Sequence, residues 1–267
     1  MCLLFEAGRT RLCIEATSVV EIAPGEPGGG RFRGLHDIDD ASLLFGGAKE
    51  TSPGVIVLLD MSPTVAVRVR TVLGVVDVAQ DTLFKLPHGL GTGLATLVPS
   101  ALVHDGRLYL ELDIQRLLPS SAQKLVAPAR EVHFLQSWVD RALVVESGGA
   151  RFGIPLAFVS RVVPTSDAFC PLPGSDGPVA GLFPHGQGLF PVYSMPAVLD
   201  GRGRGGRGEA SEQFFVLTEL AGQNVGWAAS QVLGVHGPFT PQEAPGHFGA
   251  PGLAGNVHFL DFQRMFS

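Results

Sequence analysis

The 267-residue chain has no apolar run long enough to cross a bilayer, which takes about 20 consecutive apolar residues. An amino-terminal leader pattern is also missing, because the apolar Leu3, Leu4 and Phe5 are interrupted at once by Glu6. Cysteine is scarce: Cys2, Cys13 and Cys170 form neither a disulfide framework nor a close metal-ligand spacing. Buried or incidental thiols in a reducing compartment are the expectation. Charged residues make up only 16% of the chain, and the net charge of -6 has the wrong sign for a general nucleic-acid binder. No phosphate-binding glycine loop, nucleophile elbow, zincin motif or close Cys/His set occurs. These absences predict a cytoplasmic protein with no cofactor, no metal, no nucleic-acid partner and no membrane insertion of its own.

What is present is glycine, proline and repetition. With 45% hydrophobic residues the chain can build real cores, while 35 Gly and 20 Pro break it into short pieces. Residues 65–75 read V-A-V-R-V-R-T-V-L-G-V and residues 224–235 read N-V-G-W-A-A-S-Q-V-L-G-V. Both close on V-L-G-V, beginning at Val72 and Val232, 160 positions apart. G-R-T-R-L-C-I at 8–14 can be laid on G-G-A-R-F-G-I at 148–154, and L-D-I-Q-R-L-L at 112–118 on L-D-F-Q-R-M-F at 260–266. An ordered series of echoes indicates duplication, and the changing offset indicates insertions in surface loops. Two homologous domains are expected at 1–120 and 140–267, joined by a linker at 121–139.

Short strands at close intervals, separated by glycine turns, predict an all-β fold. Residues 65–69 alternate, with Val65, Val67 and Val69 on one face and Arg68 on the other, and predict a sheet half in water. Asp105-Gly106 predicts a tight hairpin turn. Asp39-Asp40 is expected to open a short helical turn around Leu43, Leu44 and Phe45. The stretch 201–208, with Arg202, Arg204 and Arg207 but no interleaved aromatics, reads as a solvated loop rather than a nucleic-acid segment.

Few single residues invite a functional reading. Gly74 and Gly234 are expected to let a strand bulge or bend, a backbone role. Asp113 and Asp261 recur just before the terminal apolar turn of each copy and read as caps rather than catalytic carboxylates, since no second carboxylate or histidine stands at a useful repeat position. Trp227 reads as core by default, or as an interface anchor if it faces outward. His36 beside Asp37 and Asp39 suggests a metal or acid/base set, which strand alternation argues against. Arg33 carries a forked guanidinium that suits a partner's carboxylate, against the plainer reading of a solvated loop arginine. His185 suggests a titratable contact, against the plainer reading of a turn residue.

Four blocks carry a resemblance. F-G-I-P-L-A-F-V at 152–159, V-A-G-L-F at 179–183, P-V-Y-S at 191–194 and V-G-W-A-A-S-Q-V-L-G-V at 225–235 resemble successive blocks of the CheW-like domain. This is the adaptor domain of bacterial chemotaxis arrays, found also as the regulatory domain of the CheA histidine kinase. Residues 1–120 resemble it more distantly, through 12–22, Arg33-Gly34, 108–118 and V-L-G-V. The resemblance implies two tandem CheW-like domains, each of two small five-stranded SH3-like barrels with short helical turns. It also implies no enzymatic activity and protein partners: a CheA-like histidine kinase, chemoreceptor signalling tips or a related signalling complex, with recruitment to membrane-associated assemblies. Homo-oligomers remain open.

The family's receptor-facing arginine lies in an Arg-Gly pair before the strand ending in Pro-Val-x-Asp. Arg33-Gly34 takes that place in the first copy and His185-Gly186 in the second, where Ser194 replaces the aspartate. Arg70 and Ser230 stand where an aspartate normally follows the G-L-x-V strand. These departures mark a divergent adaptor. A second reading keeps the fold and moves the role to motility, polarity or other signalling. An enzyme with an unrecognised site is a distant third.

Overall fold

The computed structural model describes residues 1–25, 31–32, 36–41, 53–61, 64–78, 82–86, 90, 97–116, 139–172, 178–186, 188–200, 212–220, 222–244, 246–262 and 265. They are mostly strand, with short helical pieces such as Met195–Asp200, and the chain divides into two compact units. Unit 1 comprises Met1–Ala127 with Asp167–Ser175, and unit 2 comprises Pro128–Ser166 with Asp176–Ser267. The stretches Arg33-Gly34, 121–138 and 201–208 discussed above lie outside the described residues.

In unit 1 the strands are β1 (Cys2–Ala7), β2 (Thr10–Glu15), β3 (Val19–Pro24), β4 (Arg31–Phe32), β5 (His36–Asp40), β6 (Val55–Leu59), β7 (Val65–Val69), β8 (Thr71–Val76), β9 (Thr82–Lys85), β10 (Ser100–His104) and β11 (Arg107–Glu111). They form one sheet in the order β8-β1-β2-β11-β10-β9 and another in the order β3-β6-β7-β5-β4. Glycine makes the tight connections possible. Gly8 turns β1 into β2 at φ +60°, and Asp105 and Gly106, at φ 48° and 71°, turn β10 into β11. Both central residues of that Asp-Gly turn have positive φ, which matches the twist of the flanking strands.

Unit 2 contains β12 (Ala142–Ser147), β13 (Ala150–Pro155), β14 (Val159–Pro164), β16 (Val179–His185), β17 (Gly188–Ser194), β18 (Phe214–Leu220), β19 (Gln223–Ala229), β20 (Gln231–His236), β21 (Thr240–Pro241), β22 (His247–Gly249) and β23 (Val257–His258). One sheet runs β20-β12-β13-β23-β22-β21 and the other contains the run β14-β18-β19-β17-β16. The intervening β15 (Cys170–Pro171) falls in the segment that groups with unit 1. Polar contacts account for that grouping. The Arg11 guanidinium donates to the Asp167 carbonyl at 2.6 Å, and the Thr10 hydroxyl donates to the Pro171 carbonyl at 3.5 Å.

The strand order of each unit 1 sheet is repeated in unit 2, down to the irregularities. Leu4 opposes Gly74 and Phe5 opposes Val72, so Leu73 is the extra residue of a bulge; Val144 opposes Gly234 and Val145 opposes Val232, leaving Leu233. The ladder of β3 on β6 slips between Val19 and Glu21, and that of β14 on β18 slips between Val159 and Arg161. Strands β5 and β7 run parallel, as do β17 and β19.

Two expectations are corrected. The five-stranded SH3-like barrels are not found: among the described residues all four sheets are open, and none has its first strand paired with its last. Closure requires every strand to carry a ladder on both edges. Among the described residues, the end strands β4 and β21 carry a ladder on one side only. The sheet through 65–69 is not half in water. Strand β7 lies between β6 and β5 and is buried along its whole length, with Arg68 only 6% exposed. Asp39 and Asp40 end β5, parallel to β7, and the helical residue Ala41 follows at once, while Leu43, Leu44 and Phe45 lie outside the described residues.

Each core is apolar and closely packed. In unit 2, Phe239, Phe248 and Phe259 cluster with Val139, Ala142, Val144 and Val257, with Phe259 ring centroids 4.9 and 4.8 Å from the other two rings. Such edge-on aromatic pairs are worth about 0.5–1.5 kcal/mol beyond the area they bury. In unit 1 the corresponding sheet packs Cys2, Leu4, Cys13, Leu102 and Tyr109.

Candidate protein-docking edges

The apolar side chains left in water are concentrated on strands that end a sheet. Strand β8 exposes Leu73 (44%) and Val75 (54%), and β3 exposes Val20 (58%) and Ile22 (45%). Unit 2 has the same pattern in weaker form, with Val235 on β20 and Val162 on β14. Among the described residues each of these four strands has a ladder on one side only. A sheet edge that combines unpaired backbone groups with apolar side chains is a template for an added strand from a partner.

The bulge explains why the β8 side chains point outward. Gly74 (φ 150°) and Gly234 (φ 109°) take backbone conformations that L side chains rarely adopt, and the extra residue shifts the inside-outside alternation of the strand end. At the extra position Leu73 is in water, whereas Leu233 packs partly against the phenylalanine cluster.

The other nominated residues are scattered. Trp227 is fully buried, so it does not face outward and the condition for an interface anchor is not met. Its indole N–H donates to the Thr218 hydroxyl at 3.1 Å, and that hydroxyl donates to the Val225 carbonyl at 3.0 Å. Tyr193 and Phe262 flank the indole at 5.6 and 4.6 Å. His185 is half-buried at the end of the β16-β17 hairpin, stacked at 6.1 Å on Phe183 and edge-on to Phe190 at 6.4 Å; Gly186 makes the turn at φ 59°. Asp113 accepts the Gln115 amide proton at 3.1 Å and pairs with Arg116 at 3.0 Å, holding the turn Ile114–Arg116. The Asp261 carbonyl accepts from the Met265 amide at 3.1 Å.

Unit 1 also has an open cleft of about 590 Å³, lined by Glu15, Ser18, Asp60, Met61, Pro99, Glu111, Leu112, Asp113, Ile114 and Gln115. Among the described lining residues its carboxylates are accompanied by no histidine, lysine or cysteine. Among the described residues no three His, Cys, Asp or Glu side chains converge as a metal-ligand set. Nor is any described helix long and apolar enough to cross a membrane.

Burial moves several titratable groups out of their usual range. Burial, followed by the charge of His247, lowers the pKa of His258; the two rings are cross-strand partners with centroids 4.4 Å apart. Burial pushes the Cys170 thiol up to about 11 and raises the Glu212 carboxyl.

With this geometry in hand, the comparison with known families is specific. Residues 141–259 match the CheW-like domain model. That stretch runs from the start of the β12-β13 hairpin to Phe259, through both sheets of unit 2. No curated protein matches the chain. Among solved structures, the crystal structure of the scaffolding protein TtCheW from Thermoanaerobacter tengcongensis is similar at 18% identity and a TM-score of 0.37, covering 48% of this chain and 93% of that chain. The CheW-like match is consistent with chemotaxis-type adaptor function and with a non-catalytic scaffold.

The edge strands escaped the sequence reading. V-L-G-V reads as a structural echo, yet Leu73 and Val75 are among the most exposed large apolar residues described. The available signal was the glycine inside an apolar strand, which marks a bulge and hence a sheet margin.

Proposed function

We propose that the chain is a non-catalytic adaptor of a chemosensory-type signalling system, built from two CheW-like domains, and that it binds proteins along β8 and β20. The observation that carries this reading is the CheW-like match over residues 141–259. The repetition of its strand order and bulge in unit 1 supports extending the reading to the first half of the chain. Partners of the expected class are the regulatory domain of a CheA-like histidine kinase and chemoreceptor signalling tips. An extended partner segment would gain main-chain hydrogen bonds from the open edge and bury Leu73 and Val75, or Val235.

The test is binding of each purified partner class to the wild-type chain and to L73D/V75D and V235D. These substitutions lie at exposed positions, so folding is preserved while the apolar contact is removed. Saturable binding that one of the variants abolishes supports the reading. Binding unaffected by either variant refutes the edges as docking strands.

A second reading assigns the same fold to motility or polarity signalling. Ser194, Arg70 and Ser230, which stand where the family carries aspartates, favour it. Failure to bind either chemosensory partner while the chain binds a motility or polarity protein would select it.

A further inference from the structure

The β1-β2 ladder brings two of the three cysteines together. Leu4 directly opposes Cys13, and Cys2 stands two positions from Leu4 on the same strand. Side chains two apart on a strand share a face, so both thiols leave the same side of the ladder on a diagonal. They meet in one buried cluster with Leu4, Leu102 and Tyr109. Both are free, and they are in hydrogen-bond contact with one another. Both are buried, Cys13 at 1% exposure more deeply than Cys2 at 7%, and Cys2 is the opening residue of β1.

Packing alone does not demand this pair. Unit 2 has Ala142 and Gly153 at the equivalent register positions, where the Phe259 ring takes the space beside Gly153. The same fold therefore tolerates a solution without sulfur.

We infer that Cys2 and Cys13 form a reversible dithiol-disulfide couple, with Cys2 as the attacking thiol and Cys13 as the resolving one. The oxidant class is a peroxide. The Cys2 sulfur attacks one oxygen of hydrogen peroxide, the O–O bond breaks, and hydroxide leaves with the Cys2 proton as water, giving a sulfenic acid. The Cys13 sulfur then attacks the Cys2 sulfur, the S–O bond breaks, and a second water leaves with the Cys13 proton. Two thiols are oxidised and one peroxide is reduced to two waters. A small dithiol such as dithiothreitol reverses the step by exchange.

The electrostatics fit this division of labour. The hydrogen bond from Cys13 lowers the Cys2 pKa, while that same bond and burial raise Cys13. Cys2 thus carries the larger thiolate share, and the thiolate is the nucleophile. Cys170 is buried and shifted up, and it serves as an internal control.

The test treats the folded full-length chain with hydrogen peroxide, unfolds it in excess alkylating reagent, and maps the peptides. The expected result is a linked pair containing Cys2 and Cys13, loss of alkylation at both with Cys170 still alkylated, and recovery of both with dithiothreitol. In C13S, peroxide should carry Cys2 several-fold further toward sulfinic acid, because the resolving sulfur is gone. The inference is overturned if both cysteines of the wild-type chain stay alkylatable after peroxide. It is equally overturned if Cys2 reaches sulfinic acid as fast in the wild-type chain as in C13S. The wild-type mapping decides the matter even if the variant does not fold.

Discussion

Replacing Thr218 with valine tests whether the buried polar pair beneath β19 has been read correctly. Thr218 and Trp227 are both fully buried, and the indole N–H has the threonine hydroxyl as its acceptor at 3.1 Å. Valine keeps the β-branched shape, so the substitution removes the hydroxyl without opening a cavity of any size. What remains is an indole donor that has lost its threonine acceptor, and the Val225 carbonyl also loses the proton it received at 3.0 Å. Leaving a buried group unsatisfied costs about 1–3 kcal/mol, whereas removing both partners can be nearly neutral. T218V should therefore lower the unfolding free energy by about 1–3 kcal/mol, read from urea transitions monitored by circular dichroism. The decisive comparison is made in a W227F background. Phenylalanine has no donor, so the valine substitution should cost at least about 1 kcal/mol less there, a coupling within the range of contacting pairs. Equal costs in the two backgrounds would show that the hydroxyl does not hold the indole proton.

Three further outcomes follow from the same structure. Because burial and His247 lower the His258 pKa below its ordinary 6.5, the unfolded chain binds the proton more readily; the stability held above pH 6.5 should fall as pH drops below it, and H258F should flatten that slope in urea transitions. Gly153→Ala should destabilise unit 2 by about 1–3 kcal/mol, because the added methyl overlaps the Phe259 ring; an unchanged urea midpoint would show that the ring moves aside. Asp113→Ala should cost about 1 kcal/mol by releasing the amide of Gln115 and the Arg116 pair, whereas Asp113→Asn should recover most of it through the retained carbonyl oxygen.

The parts of the fold legible in the sequence are those enforced by local backbone chemistry. Gly74 and Gly234 recur within V-L-G-V because each occupies a positive-φ position in a bulge, and an identical backbone demand leaves an identical residue. The Asp105-Gly106 turn is equally local. Barrel closure is not local: it depends on whether distant strand ends meet, and nothing in the two-residue β4 or β21 reveals that from composition. Arg68 was placed in water because alternation records which residues share a face, not whether both faces are covered. Leu73 and Val75 were invisible as surface for the complementary reason, since a valine-rich strand reads the same at the margin of a sheet as in its centre. The grouping of Asp167–Ser175 with unit 1 rests on contacts more than 150 residues apart in the chain, such as Arg11 with Asp167, and no window of sequence contains them.

The most direct measurement is a calorimetric titration of the full chain with a purified CheA-like regulatory domain and, separately, with a chemoreceptor tip fragment, repeated for L73D/V75D and V235D. The adaptor account predicts saturable binding to at least one partner, weakened roughly tenfold or more by one of the edge variants. No binding to either partner, or affinities that both variants leave unchanged, would contradict it.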